Sequence, residues 1–305
     1  MAKQGHVDQR LTNLSIQYKQ NEFVGHNIFT ETPVDKGSDK YLVYSKGNLF
    51  QQTDDKLSKN AQANVVQMAS SDATYSVNDY GLKGQISSED IKNADSPLEL
   101  EADETEVLTS VIALKREVRQ IAVVNAMSVN TASPSTKWTA SAGTPVSDIE
   151  DAIASMFKRA NTAIISQPVW DKMKYNADII AKIGGGFVGL KQATTDMIAE
   201  LFGLDKVIIG SARKDANKMP LDASLSYAWG KSLVLAYVDP RMSKKIATFG
   251  RLFAQKLGNG KTVQVRKWDD PTIGIGGSRI IQVEHASVEK VISEDFGYHL
   301  SDCIA

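Results

Sequence analysis

The most regular pattern of hydrophobic and polar positions in the chain lies between Ser96 and Met127. Apolar residues recur there at steps of four and three, at Val107, Val111, Leu114, Val118 and Ile121. This spacing is typical of one apolar stripe on an amphipathic α-helix. Ser96 is suited to the N-cap, Pro97 fits the first turn, and Glu99 stands at capping-box spacing from Ser96. The pattern predicts a helix from Pro97 to Met127, about 46 Å long, with its stripe buried in a core or a short coiled coil.

The charges along this predicted helix are segregated by sign. Acidic residues fill its first half, at Glu99, Glu101, Asp103, Glu104 and Glu106, and basic residues follow at Lys115, Arg116 and Arg119. Both groups interact favourably with the helix macrodipole, which supports the prediction of one continuous helix.

The residues before the helix have no comparable period. Apolar residues are scattered between Met1 and Asp39, which we interpret as an arm. Lys40–Ser45 has strand composition, Gln51–Ser71 is mostly polar, and Thr74–Val77 has the pattern of a returning strand. These segments predict a projecting β-hairpin. Because an isolated hairpin is marginally stable in water, it is expected to rest on another part of the molecule.

Beyond the long helix, helical and strand patterns alternate. Helices are predicted at Ser147–Arg159, Pro168–Ile183 and Thr195–Phe202, the last followed by Gly203 as a helix-end residue. Strands are predicted at Thr162–Ser166, Val207–Ile209, Ser232–Val238, Thr262–Trp268, Ser278–His285 and Val288–Ile292. The pattern indicates a compact α/β layer between Ser147 and Arg251, followed by a β-rich C-terminal part.

Composition narrows the class of protein. The chain has 305 residues, 42% of them hydrophobic and 23% charged, which is typical of a globular protein of one to three domains. A formal net charge of −1 and the lack of a basic block argue against a strong phosphate-binding surface. A single cysteine excludes an internal disulfide framework. The polar N-terminus is not a signal peptide and no apolar run is long enough to span a bilayer, so synthesis in the cytoplasm is expected.

Two glycine-rich segments are candidates for phosphate binding. The run from Gly184 to Lys191 lacks the Gly-Lys-Ser/Thr order that a P-loop needs, and we interpret it as a surface loop. The run from Gly274 to Arg279 precedes a predicted strand and not a helix, so the dinucleotide-binding context is absent. It is interpreted as a hairpin turn.

The remaining candidate side chains do not form a recognisable site. They are His6, His26, His285 and His299, the acidic residues Glu89, Asp90 and Asp95, Cys303, and the Asn13-Leu14-Ser15 sequon. The histidines have no metal-ligand spacing, and the acids are interpreted as helix N-terminal charges or interface partners in preference to a cation site. We therefore predict no catalytic, cofactor-binding or metal site, and a protein that is not an enzyme.

Several stretches, taken in order, resemble the major capsid proteins of tailed bacteriophages. They are Leu11–Phe29 with Pro33-Val34 and Ser38–Gly47, Glu89-Asp90 with Asn93–Leu98, Asn161–Trp170, Ala199–Gly203, Trp229–Pro240, Glu289–Val291, Asp295–Tyr298 and Asp302. No single motif is diagnostic, but their shared order extends over almost the whole chain.

The resemblance implies an α+β fold of the Hong Kong 97 type. Residues 1–39 would form the N-terminal arm and 40–92 the extended β-hairpin loop. Residues 93–146 and 259–305 would form the peripheral domain, with its spine helix and β-sheet, and 147–258 the α/β axial domain. The lysine–asparagine cross-link of some capsids is not carried over, because no motif places either partner.

The implied function is that of a structural subunit forming hexamers and pentamers of an icosahedral head around double-stranded DNA. The expected location is the virion capsid, after assembly in the host cytoplasm. The main partner would be the chain itself, with a portal protein and with scaffolding and decoration proteins as further candidates, and with neither sequence-specific DNA binding nor a membrane. The alternatives are an encapsulin-like nanocompartment shell and, from a different class, a soluble α/β enzyme.

Overall fold

The structure, a computed structural model, describes residues 6–17, 22–43, 56, 62, 71–93, 97–184, 191–215, 224–241 and 246–305. Its helices are α1 (Gln9–Gln17), α2 (Ser88–Asn93), α3 (Pro97–Asn125), α4 (Pro145–Ser155), α5 (Gln167–Met173), α6 (Ala177–Ile183) and α7 (Thr195–Phe202). Its strands are β1 (His6–Val7), β2 (Phe29–Val34), β3 (Ser38–Val43), β4 (Ser71–Ser76), β5 (Asn78–Ser87), β6 (Thr131–Ala132), β7 (Thr162–Ser166), β8 (Lys206–Gly210), β9 (Arg213–Asp215), β10 (Leu225–Tyr227), β11 (Leu233–Ala236), β12 (Gly250–Gln255), β13 (Val263–Asp270), β14 (Ser278–Val291) and β15 (Gly297–Leu300).

The long helix α3 confirms the strongest sequence prediction. It begins at Pro97 as expected and ends at Asn125, two residues before the predicted end. Beyond it the backbone tightens, since the Met127 N–H donates to the Val124 carbonyl three residues back. The proposed cap, Ser96, lies outside the described residues.

The face that α3 buries overlaps the predicted stripe only in part. Ile121 is buried as expected, and Leu114 and Val118 are partly buried. Val107 and Val111 are 58% and 40% exposed, so their expected burial is wrong for the single chain. Outside the stripe, the buried positions include Glu101, Thr105, Leu108, Ile112, Gln120 and Val124. Apolar spacing finds the faces of a helix but cannot tell which one meets the sheet when buried polar residues have partners there.

The sheet beneath α3 has six strands, in the order β1-β13-β14-β12-β2, with β5 paired to β14. The chain was expected to form two strands between Ser278 and Ile292, but β14 continues from Ser278 to Val291 because successive partners pair with it along its length. Strand β5 was not predicted. Its polar, glycine-containing sequence gives little strand signal, and its ten-residue pairing with β14 supplies the missing stability.

The predicted hairpin is present in the described residues. Strands β3 and β4 pair antiparallel, from Ser38 opposite Ser76 to Val43 opposite Ser71. The pair rests on the six-stranded sheet, where the ring of Tyr75 stacks on Phe253 with centroids 4.4 Å apart. The connection between the two strands falls almost wholly outside the described residues.

The second large sheet has five strands, in the order β6-β15-β11-β7-β8. Its two faces belong to different cores because successive side chains of a strand point to opposite sides. Leu233 and Leu235 face the helices α4 to α7, whereas Val234 packs with Ile121 and Val124 of α3. The five-stranded sheet therefore lies between the helical layer and the end of the long helix.

The helix predicted at Pro168–Ile183 is two helices, α5 and α6. Asn176 interrupts the pattern, since its side chain accepts a hydrogen bond from the Asp178 N–H and caps α6. Helix α7 has the predicted bounds, and Gly203 follows it with φ +63°. That left-handed conformation is one that glycine adopts without steric cost.

The first 39 residues contain more regular structure than an arm was expected to have. Helix α1 lies against α3, and β2 pairs in parallel with β12. Ile28 and Phe29 are fully buried, in a core that includes residues from the end of α3 and the five-stranded sheet. The described part of this segment thus completes the cores of other segments.

The proposed division into arm, loop, peripheral and axial parts remains a prediction. Two strands pair with strands that the division assigns to a different part. Strand β12, expected in the axial part, pairs with β14 in the six-stranded sheet, and β15, expected in the peripheral part, pairs with β11 in the five-stranded sheet.

Candidate assembly interface

The four histidines singled out for possible chemistry lie on different elements of the structure. His6 is in β1, His26 in a short 3₁₀ helix (Gly25–Asn27), His285 in β14 and His299 in β15. Within the described residues no group of three or more His, Cys, Asp or Glu side chains is arranged to hold a metal ion. The part of the chain that the structure describes contains no helix with the length and apolar character to cross a bilayer.

The two glycine runs differ in what can be said of them. Gly274, Gly276 and Gly277 all have positive φ and form the tip of the β13–β14 hairpin, which matches the predicted turn. In the other run, Gly184 ends α6, but residues 185–190 lie outside the described residues.

The acidic cluster and the sequon take part in local structure. Glu89 and Asp90 lie in the first turn of α2, and Asp90 accepts a hydrogen bond of 2.6 Å from the Ser87 hydroxyl. Asp95 lies outside the described residues. Ser15 of the sequon is on α1, where its hydroxyl is 2.8 Å from that of Thr109 on the long helix.

Cys303 is fully buried, 3.4 Å from the Leu300 carbonyl oxygen. Burial raises the pKa of its thiol to about 12, so the reactive thiolate is strongly disfavoured near neutral pH.

The main connection between the distant segments is Glu117, a carboxylate buried on α3. It accepts hydrogen bonds from the backbone N–H of Val24 at 3.1 Å, from that of Gly25 at 2.9 Å, and from the indole N–H of Trp229 at 2.7 Å. Burial raises the pKa of Glu117, and the three N–H donors partly offset this by favouring the ionised form. One side chain on the long helix thus binds both the N-terminal segment and Trp229, which lies just before strand β11 of the five-stranded sheet.

A second buried carboxylate, Glu101, anchors the other end of the long helix. Lys267 donates to it at 3.3 Å and Arg279 at 2.7 Å, from strands β13 and β14. Lys267 also pairs with Asp8 at 2.8 Å, just before α1. The hydrogen bonds that Arg279 donates to Asp269 and Glu101 raise the pKa of its guanidinium, which keeps this cation charged. The network fixes α3 on the sheet through charge pairs that a hydrophobic pattern does not reveal.

Sequence reasoning missed both anchors because their partners are distant in the chain. Glu117 lies 92 residues from Gly25 and 112 from Trp229, and Glu101 lies 178 from Arg279. The only sequence signal was the presence of acids within an apolar-periodic helix, and that signal does not distinguish a buried acid from an exposed one.

Several large apolar side chains are left exposed on the single chain. Among the described residues they include Val107, Val111, Tyr175, Leu225 and Ile275, the last of which is fully exposed at the β13–β14 tip. Val107 and Val111 share the helix α3, and the other three lie elsewhere in the chain. Surfaces of this kind are more suited to contact with other chains than to binding a small ligand.

Comparison with known proteins shows which proteins this chain is similar to. No family model matches the chain. A major capsid protein of Pseudomonas phage JBD67 is 25% identical over 305 residues, which span 98% of this chain and 97% of that protein. A major capsid protein of Burkholderia phage BcepMu is 28% identical over 246 residues, 76% of each chain.

Solved structures give the same fold at lower identity. A phage-related protein from Bordetella bronchiseptica RB50 superposes with a TM-score of 0.74 at 20% identity, over 99% of this chain and 98% of that one. The capsid of cyanophage P-SCSP1u gives 0.57 at 10% identity, over 93% and 89%. An encapsulin from Synechococcus elongatus PCC 7942 gives 0.53 at 9% identity, over 98% and 91%.

The fold is therefore the Hong Kong 97 type of phage capsid proteins. The resemblance to the major capsid proteins of tailed phages is confirmed, and with the JBD67 protein it extends over nearly the full length of both chains.

Proposed function

We propose that this chain is the major capsid protein of a tailed bacteriophage. It would act as a structural subunit, and not as an enzyme, in an icosahedral head that encloses double-stranded DNA. The observation that carries the proposal is the end-to-end similarity to a phage major capsid protein, 25% identical over 98% of this chain. Similarity over nearly the whole length of both chains is expected when they share the whole architecture and not a single domain.

The architecture supports assembly in a physical sense. The N-terminal segment and the hairpin complete cores of other segments, and large apolar side chains remain exposed on several elements. Subunits with such surfaces are stabilised by association, because burial of these side chains between chains removes them from water. Hexamers and pentamers are the proposed first assemblies, with a portal protein and, where used, scaffolding and decoration proteins as partners.

The proposed place of action is the virion capsid, with assembly in the host cytoplasm. The near-neutral net charge of −1 supports a container that encloses DNA without gripping it strongly. Neither sequence-specific DNA binding nor a membrane partner is proposed.

A nanocompartment shell is the second candidate, supported by the structural match to an encapsulin at a TM-score of 0.53. The 9% identity of that match shows a shared fold only, whereas the relatives found by sequence are phage capsid proteins.

Expression of the chain alone, followed by electron microscopy, tests the proposal. Closed shells, capsomers or capsomer sheets are the expected products. A monomer at all concentrations would contradict it. If shells form, isolation from phage-producing cells separates the two candidates, since DNA and a portal indicate a phage head and an enclosed enzyme indicates a nanocompartment.

A further inference from the structure

A ridge of exposed side chains runs along the long helix α3. Between Glu99 and Lys115 every fourth residue is exposed, at Glu99, Asp103, Val107, Val111 and Lys115, and all the others in that span are buried or partly buried. Residues four apart form one of the natural ridges of a helix surface, and such ridges pack into the grooves of a similar helix in the commonest class of helix crossing. The geometry is therefore suited to contact with another helix.

Two copies of the ridge have complementary side chains when their helices run antiparallel. Its central part has an acid at Asp103, two valines at Val107 and Val111, and a base at Lys115. When a second copy runs antiparallel about an axis between the two valines, Val107 of one copy meets Val111 of the other. The same operation places Asp103 opposite Lys115 at both ends. A parallel arrangement would instead place acid beside acid and base beside base.

We propose that this ridge is a two-fold contact between two copies of the chain, with their long helices antiparallel. The valines form its apolar centre and two Asp103–Lys115 ion pairs fix its register. Such a contact is isologous, since the same patch serves both partners. The inference rests on the proposed function and deepens it by naming one surface through which subunits join.

A charge-swap cycle tests the register. Asp103→Lys and Lys115→Asp each place like charges at both ends of the contact, and each is expected to lower the yield of assembled particles at least about tenfold, the equivalent of 1.4 kcal/mol. The double variant Asp103→Lys/Lys115→Asp restores opposite charges and is expected to return the yield to within about twofold of wild type. Residues 103 and 115 are about 18 Å apart along one helix, so recovery requires a contact between copies.

The matched control is Glu106→Lys, which makes the same change of charge on α3 but off the ridge. It is expected to alter the yield no more than about twofold. Circular dichroism of each unassembled variant distinguishes a loss of contact from a loss of fold. If the two single effects add in the double variant, with correct folding throughout, the antiparallel register is overturned.

Cross-linking identifies the occupant directly. Val111→Cys introduces an exposed thiol, whereas the native Cys303 is fully buried. With a short bismaleimide, assembled Val111→Cys particles are expected to give covalent dimers in which residue 111 is joined to residue 111 of another copy. Peptide mass spectrometry that joins residue 111 to a different segment of a neighbour would overturn the proposal.

The two proposals fail separately. If the wild type forms shells but the double variant at residues 103 and 115 does not recover the yield, this contact is wrong and the capsid function is unaffected. If the wild type forms neither shells, capsomers nor capsomer sheets, the capsid function fails. The 111-to-111 link is then measured on the oligomers in solution, where its absence overturns the contact as well.

Discussion

At the scale of single residues, Glu117 connects segments that are distant in the sequence. It holds two backbone N–H groups of the N-terminal segment and the indole N–H of Trp229 inside the protein. A buried carboxylate that loses a donor keeps its desolvation cost without the compensating bond.

Trp229→Phe removes that indole donor while leaving most of the ring in place. It is expected to lower the free energy of unfolding of the unassembled chain by about 1–3 kcal/mol, measured by urea denaturation. Trp138→Phe is the matched control, because the Trp138 indole donates at 2.7 Å to Asp148, which is only partly buried. A Trp229 effect no larger than the Trp138 effect would contradict the role given to Glu117.

His285 predicts a pH dependence of stability. It is buried on β14, where neither ring nitrogen has a hydrogen-bond partner among the described residues. Its ring stacks on Tyr80 of β5 and lies near Arg116 and Arg119 of α3. Burial first, and then the two arginines, lower its pKa to about 3 from 6.5. Since the folded pKa is below the unfolded value, this contribution to stability is fully present above pH 6.5 and is lost as pH falls toward 3.

At pH 4.5 the loss is expected to be about 2–3 kcal/mol relative to pH 7, measured by urea denaturation across that range. His285→Phe keeps an aromatic ring against Tyr80 and removes the titration, so its stability should vary less over the same range. Some slope is expected to remain, because burial also lowers the pKa of His299. An equal slope in the variant and the wild type would exclude His285 as the cause.

At the scale of elements, the long helix has two apolar faces with different roles. Ile112 is 8% exposed and packs with Leu108 and Val283, whereas Val107 is 58% exposed. Ile112→Ala is therefore expected to cost about 2–5 kcal/mol in the unfolding of the unassembled chain. Val107→Ala, on the same helix, is expected to change it by no more than about 0.5 kcal/mol. Similar losses at both positions would mean that Val107 is buried within the single chain.

The hairpin β3–β4 makes a separate prediction. Its pairing extends to Val43 opposite Ser71, so the strands do not depend on the connection between them for their register. Replacing residues 46–68 by a short Asn-Gly turn is expected to leave the unfolding midpoint of the unassembled chain nearly unchanged. Shell formation, followed by electron microscopy, is expected to be lost. Normal shells from this variant would contradict the interpretation of residues 40–92 as an intersubunit loop.

Elements with strong local signals were predictable from sequence. The start of α3 at Pro97, the strand β7 and the helix α7 all agree with the sequence patterns, because periodicity and helix-end residues act over a few positions. Strand β5 and the break at Asn176 were missed, since pairing with a distant strand and a capping side chain decide them. The anchors at Glu101 and Glu117 depend on contacts between distant segments, which no local pattern contains.

At the scale of the whole molecule, contacts with neighbouring chains are expected to supply part of the chain's stability. Its N-terminal segment completes the cores of other segments, and its long helix exposes two valines in line. A subunit built in this way is expected to be more stable in the shell than alone, since whatever binds only the folded state raises the free energy of unfolding.

Shells purified by sedimentation are therefore expected to unfold at a higher temperature than dissociated subunits of the same preparation. With subunits 1,000-fold above their dissociation constant, the linkage amounts to about 4 kcal/mol, and the rise in Tm is on the order of 10 °C. Scanning calorimetry at several concentrations measures it. The Asp103→Lys variant, whose yield of particles is expected to fall at least about tenfold, should show mainly the lower transition at every concentration. Identical Tm values for shells and subunits would mean that the exposed surfaces of this chain contribute nothing to the stability of the shell.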